Sequence, residues 1–243
     1  MHDDPIVIVG GARTPMGAFQ GSLSSLSAPE LGGHAIKAAI KRANVAPNDI
    51  QDLIMGLCLF AGVKQAPARQ AAHLAGIPWE AGATTISKMC GSAMKATMLA
   101  YDNIIAGSHD IMVSGGMESM SKAPYILPKA RDGYRLGNGD IVRDHMFIDG
   151  LEDAYEEGRL MGSFAEDTAE HYQFTREAQD SYAIESLRRA KHAVEEGGFD
   201  DEVTPVMITD RKGEREVTID EQPFNANLEK IPHLRPAFRK NGT

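Results

Sequence analysis

The chain has 243 residues, 42% of them hydrophobic, and a formal net charge of −9. That length builds a sizeable core with room for a second folding unit, and the negative balance excludes a surface adapted to nucleic acid. The charge is uneven, with 8 basic and 9 acidic residues in 1–120 against 17 and 25 in 121–243, which predicts a core domain followed by a more solvated region.

The N-terminus, MHDDPIVIVGG, carries Asp3 and Asp4 ahead of a short apolar run and reads as neither a signal nor a transit peptide. No apolar run approaches the ~20 residues of a membrane-spanning helix. Ile6 to Val9 is all-apolar and ends at Gly10-Gly11, which predicts a buried strand of a sheet covered on both faces. The loop that follows has neither G-x-G-x-x-G nor the lysine of a P-loop, so Arg13 is expected to brace a turn rather than hold phosphate. Ser27 and Glu30 have capping-box spacing with Pro29 in the first turn. Leu31, Ala35, Ile36, Ala39, Ile40 and Ala43 then predict one helix face, stopping near Asn44. Leu53 to Phe60 reads as the next strand, with Cys58 in it as inert packing. Pro67 to Leu74 reads as a helix ended by Gly76.

Thr84, Thr85 and Ile86 suit a strand. Lys88 to Ser92 read as a turn, and Ala93, Met94, Ala96, Thr97 and Leu99 continue as a buried helix. Cys90 therefore falls between a strand end and the first turn of a helix. Unpaired N–H groups and the positive end of the helix dipole gather there and favour a thiolate. A thiolate attacks acyl carbon, and the same N–H groups suit the oxyanion so formed. Lys88 adds to that bias if its side chain turns inward. The plain alternative is a small buried residue, since free cysteine packs well. Asp110 to Ser114 reads as a further strand. Strands alternating with helices predict βαβ units and a mainly parallel sheet, with chemistry at the carboxyl ends of the strands. Cys58 and Cys90 are the only cysteines; two make no disulfide framework and point to a reducing, cytoplasmic setting.

Residues 122–162 are rich in Gly, Pro and charge, too long for a simple loop. Ser163 and Glu166 read as a second capping box opening a helix to about Gln173. Thr175 caps a longer helix with Ala183, Leu187, Ala190 and Val194 on its inner face, ended by Gly197-Gly198. Val203 to Ile208 and Glu216 to Ile219 flank a Lys212-Gly213 turn and read as a hairpin.

Lys88-Met89-Cys90-Gly91-Ser92-Ala93-Met94-Lys95-Ala96, followed by Ser114-Gly115-Gly116-Met117-Glu118-Ser119-Met120-Ser121, resembles the thiolase family of acyl-CoA C-acyltransferases. The wording is closer to the biosynthetic acetoacetyl-CoA thiolases than to the fatty-acid-degrading ones. Gly10-Gly11-Ala12-Arg13-Thr14-Pro15 and Leu234-Arg235-Pro236-Ala237-Phe238 extend the match across the chain. The resemblance implies an α/β fold of thiolase-like βαβ layers with a mixed, mostly parallel sheet, plus an inserted α+β loop domain. It places the N-terminal core domain at 1–121 and the loop domain at 122–243, with an arm at about Ala123 to His145 that joins dimers into tetramers.

By the same resemblance Cys90 is the catalytic nucleophile, and Leu151, Met161, Ala237 and Phe238 are substrate contacts, ordinary packing being the alternative for each of the four. The implied reaction condenses two acetyl-CoA to acetoacetyl-CoA and CoA through an acyl-Cys90 intermediate. The alternatives are a degradative 3-ketoacyl-CoA thiolase and a non-catalytic acyl-CoA or lipid binder. Partners are acyl-CoA and CoA, with no nucleic acid and no membrane, in a homo-oligomer (dimer or tetramer). No cofactor or metal is implied, since coenzyme A thioesters are the substrates. Lys230, Arg235, Arg239 and Lys240 are candidates for the CoA phosphates, with solvated surface charge the commoner reading, and His145 is a histidine of the inserted loop for which surface or packing roles are commoner than ligand contact. Two departures stand out: Leu160-Met161-Gly162 where short-chain members often have His-Met-Gly, and Ala93 where glycine is usual. The family's histidine in Gly-His-Pro, its second cysteine in Cys-x-Gly-Gly-Gly and its Asn-Glu-x-Phe-Ala motif have no match in these residues. The expectation is an N-terminal half without full turnover.

Overall fold

The computed structural model describes residues 5–137, 142–211 and 213–243. Helix α1 (Ala28–Arg42) begins as the capping box predicts: the Glu30 N–H reaches the Ser27 hydroxyl, and the Ser27 N–H and hydroxyl both donate to the Glu30 carboxylate. Strand β1 (Asp52–Gly56) follows, then α2 (Pro67–Ala75), which ends at Gly76 with φ 86°. Strand β2 (Gly82–Ile86), α3 (Ser92–Ile105) and β3 (Met112–Gly116) complete the α/β alternation.

The three strands form a parallel sheet in the order β2-β1-β3, with Gly56 opposite Ile86 on one side and Gly116 on the other. The core lies on the face covered by α1 and α2. Ile36 and Ile40 meet Leu53, Met55, Leu57 and the alanine face of α2, Ala68, Ala71, Ala72 and Ala75. Small residues on α2 let the helices approach closely, so this side excludes water with little side-chain entropy lost.

Three expectations change in this part of the chain. Ile6 to Val9 is not a strand: Val7 and Ile8 are 64% and 85% exposed, and a cavity of about 490 Å³ lies between this segment, α1, α3 and β3. Standing off from β3, the segment has no ladder to join, so its β-propensity goes unused. β1 stops at Gly56 rather than running to Phe60, because the Glu118 carboxylate accepts the N–H groups of Cys58 (2.8 Å) and Leu59 (3.2 Å) that a strand would give to a neighbour. Cys58 is therefore a loop residue, half-buried. Helix α3 is buried only along Ser92, Ala96 and Ala100, while Met94, Met98 and Tyr101 are exposed.

The chain folds as two compact units. The first runs to Pro124 and takes in Asp200–Ile219; the second is Tyr125–Phe199 with Asp220–Thr243. A single boundary near residue 121 does not describe this division, because the chain returns to the first unit through strands β6 (Val206–Asp210) and β7 (Gly213–Val217). The preceding region holds Arg13: its N–H bonds the Glu202 carbonyl and its guanidinium the Glu202 carboxylate (2.7 Å). Val206, Ile208 and Val217 bury against Leu23. The hairpin is antiparallel, with Val206 opposite Val217; Lys212 of its turn lies outside the described residues.

The second unit holds the short antiparallel pair β4 (Tyr125–Ile126) and β5 (Arg143–Asp144), then α4 (His145–Ile148), α5 (Met161–His171), α6 (Arg176–Glu195) and α7 (Gln222–Asn225). Thr175 caps α6, and Arg176 ties it to the carbonyls of Ile231 and Leu234. Helix α5 starts at Met161, ahead of the predicted Ser163 cap. Its Glu166 is buried and accepts from the N–H and hydroxyl of Thr243 instead of capping the helix. Residues 138–141 of the expected arm lie outside the described residues. Among the described residues, no helix is long and apolar enough to cross a membrane.

Candidate active site

Cys90 is exposed at the carboxyl end of β2, immediately before Gly91, the N-cap of α3. Gly91 supplies no capping side chain, so the first-turn N–H groups of α3 have no side-chain acceptor there. The turn that presents the sulfur is tightly held. Met89 sits in the left-handed region at φ 49°, a conformation costly for a residue with a side chain. Ser92 holds it there: its hydroxyl donates to the Met89 carbonyl (2.5 Å) and accepts from the Lys88 N–H (2.8 Å), and the residue is 4% exposed. The N–H of Gly91 bonds the Lys88 carbonyl and that of Ser92 the Met89 carbonyl. Lys88 itself is exposed.

The start of α3 is seated on the sheet by a glycine. A Cβ at Gly56 would lie 2.5 Å from the Cβ of Ser92 and 2.7 Å from the N of Ala93, so only a residue without a side chain ends β1 under this helix. The Ser114–Ser121 motif has a matching physical role. Ser114 and Thr97 of α3 share a hydrogen bond at 3.0 Å, Glu118 holds the loop after β1, and Ser119 donates to the Leu26 carbonyl. These supports were not singled out in the sequence; the clue was small and polar residues at strand ends, too common to be selective.

Beside the Cys90 turn lies Cys58. Burial, and then the neighbouring Glu118 carboxylate, push the Cys58 thiol up from its ordinary range.

The other predicted site residues belong to the second unit. There the Met161 N–H bonds the Leu151 carbonyl at 3.0 Å. The Phe238 ring lies on Gly162 and leaves no room for a side chain there. Leu151, Met161 and Phe238, with its neighbour Ala237, are thus gathered in one region; Leu151 is half-buried, while Met161 and Phe238 are 55% and 49% exposed. Arg239 bonds Asp167 and Glu170, so its charge is already answered by acids. His145 is 4% exposed and bonded through Nδ1 to the exposed Asp149 carboxylate at 2.6 Å; the buried ring is not presented to a ligand. No group of three or more His, Cys, Asp or Glu suited to a metal ion occurs among the described residues.

The family model described as thiolase, N-terminal domain, matches residues 6–243. An acetyl-CoA acetyltransferase of Cupriavidus necator is 48% identical over 241 residues, covering 98% of this chain and 61% of its own. An acetyl-CoA acetyltransferase 2 of Arabidopsis thaliana is likewise 48% identical, with 98% and 59% covered. The acetyl-CoA acetyltransferase structure from Syntrophomonas wolfei superposes with a TM-score of 0.90 at 43% identity, over 97% of this chain and 59% of that one. A thiolase from Ascaris suum solved in complex with coenzyme A gives 0.89 at 41%, over 96% and 59%. The chain spans about three-fifths of the length of these relatives. With the parallel sheet, the Cys90 turn and a family match from residue 6 to residue 243, the chain belongs to the thiolase family, within its N-terminal domain.

Proposed function

We propose that this chain carries the acyl-uptake part of an acetyl-CoA C-acetyltransferase, with Cys90 as the nucleophile. The observation that carries the reading is the exposed Cys90 sulfur beside an α3 N-terminus that has no capping side chain. The names of the relatives supply the substrate class, and the coenzyme A complex of a structural neighbour supports binding of that coenzyme.

In this reading the Cys90 sulfur, as its thiolate, attacks the thioester carbonyl of acetyl-CoA. The new S–C bond forms as the bond to coenzyme A breaks, and the departing CoA thiolate takes up a proton. First-turn N–H groups of α3 stabilise the oxyanion of the tetrahedral intermediate. Condensation then requires a base to remove an α-proton from a second acetyl-CoA. The family's histidine and second-cysteine motifs are not in these 243 residues, so acylation of Cys90 is assigned to this chain and carbon–carbon bond formation is not. Leu151, Met161, Ala237 and Phe238 are the proposed acyl and pantetheine contacts. A cytoplasmic setting fits two free thiols. Self-association, as a dimer or tetramer, fits the exposed Tyr125 and Leu127 of the arm.

Mass spectrometry of the chain after incubation with acetyl-CoA tests this. The expected result is one acetyl group, on the Cys90 peptide, absent from Cys90→Ala. Labelling of Cys58 alone, or none under conditions where iodoacetamide alkylates Cys90, would refute the nucleophile assignment.

A further inference from the structure

Cys58 and Cys90 stand just past the carboxyl ends of two adjacent parallel strands. β1 ends at Gly56 and β2 at Ile86, paired with each other, and the cysteines follow on the loops beyond. Ser92 lies between them. It approaches Gly56, two residues before Cys58, too closely for any side chain there, and it holds the Met89 carbonyl of the Cys90 turn. Burial, then Glu118, and after them the neighbouring Cys90 hold the Cys58 thiol up from its ordinary range.

Their surroundings differ in a way that assigns complementary roles. Cys90 is exposed, open to a small oxidant; Cys58 is half-buried, and its backbone N–H donates to the Glu118 carboxylate at 2.8 Å, which sets that carboxylate beside the residue. Both cysteines lie on loops beyond the three-stranded sheet, and a disulfide forms where those loops bring the two Cα atoms within about 7 Å. The acyl-transfer reading uses Cys90 and leaves Cys58 without a role.

We propose that Cys58 is the resolving thiol of Cys90, making the pair an oxidative modification site for hydrogen peroxide. Peroxide transfers one oxygen to the Cys90 sulfur; the O–O bond breaks, sulfur is oxidised to sulfenic acid, and the other peroxide oxygen leaves as water. The Cys58 sulfur then attacks the Cys90 sulfur. An S–S bond forms, the S–O bond breaks, and the Cys58 proton passes by way of Glu118 to the departing hydroxide as a second water. Two thiols and one peroxide give one disulfide and two waters. Cys90 is thereby held in a form that a dithiol reverses, instead of advancing to sulfinic or sulfonic acid. The proposal needs a reactive Cys90 sulfur, not its acylation.

The test treats the reduced chain with hydrogen peroxide, alkylates remaining thiols with iodoacetamide, and reads intact and peptide masses. The expected outcome is a chain lighter by two hydrogens, with no alkylatable thiol, a Cys58–Cys90 linked peptide and full reversal by dithiothreitol. Cys58→Ser should instead accumulate Cys90 carrying two or three oxygens, irreversibly. Wild-type chain in which Cys90 gains those oxygens while Cys58 stays alkylatable overturns the proposal, as does a disulfide formed only between two chains. A control alkylation before peroxide shows whether Cys90 is reactive at all. An inert Cys90 defeats the acyl-transfer reading as well; a reactive Cys90 that Cys58 fails to resolve defeats this proposal alone.

Discussion

At the scale of single residues, Ser92 decides how Cys90 is presented. Its buried hydroxyl bonds both the Lys88 N–H and the Met89 carbonyl, which keeps Met89 in its left-handed conformation. Ser92→Ala takes the side-chain acceptor from the Lys88 N–H and leaves the Met89 carbonyl with the residue-92 N–H alone, a loss of about 1 kcal/mol. Urea denaturation should show a lower midpoint at unchanged slope, and iodoacetamide alkylation of Cys90 should slow. An unchanged midpoint would mean that the turn holds itself. The motif containing Cys90 was legible in the sequence because its residue types carry the chemistry. The role of Ser92 was not, since a serine after Cys-Gly looks the same whether its hydroxyl points inward or to solvent.

At the scale of elements, local signals succeeded where partners are close in sequence. The Ser27–Glu30 box formed as spaced, because both halves of the bond lie within one turn. Burial works to raise the Glu30 carboxyl, but the hydrogen bonds from Ser27 and the charges of Lys122 and His34 carry it below its ordinary range. The stabilisation is therefore present above the unfolded value, ~4.3, and is lost as pH falls through the lower folded value. Thermal melts of Glu30→Gln and wild type should differ near neutrality and converge under acid; a gap that stays constant with pH would deny the charge its part. Ser27→Ala should cost about 1 kcal/mol near neutrality. The same spacing misled at Ser163, because Glu166 has a stronger claim on it from Thr243, distant in sequence. β1 likewise ended early because Glu118, sixty residues on, takes its next N–H groups.

At the scale of the whole molecule, the Asp200–Ile219 segment belongs to the first unit although Tyr125–Phe199 separates it from the rest. Val206, Ile208 and Val217 close the small core around Leu23, Arg42 bonds the carbonyls of Glu202 and Val203, and Arg215 bonds the Ser22 carbonyl. Ile208 is 1% exposed, so Ile208→Ala should cost about 2–5 kcal/mol. Denaturation followed by near-ultraviolet circular dichroism checks it, and a loss below half a kcal/mol would show that the hairpin contributes little to this unit.

The sequence by itself determined the α/β class, the strand–turn–helix around Cys90 and the kinship of the chain, since these rest on periodicity and on residue types read within a few positions of each other. Only the tertiary structure decided that Ile6 to Val9 forms no strand among the described residues, that β1 ends at Gly56, that Cys58 is a loop residue beyond it, and that the hairpin returns to the first unit. Each of those depends on which distant backbone or carboxylate reaches a given N–H or apolar face first, and such a competition between remote groups leaves no periodic trace in the chain.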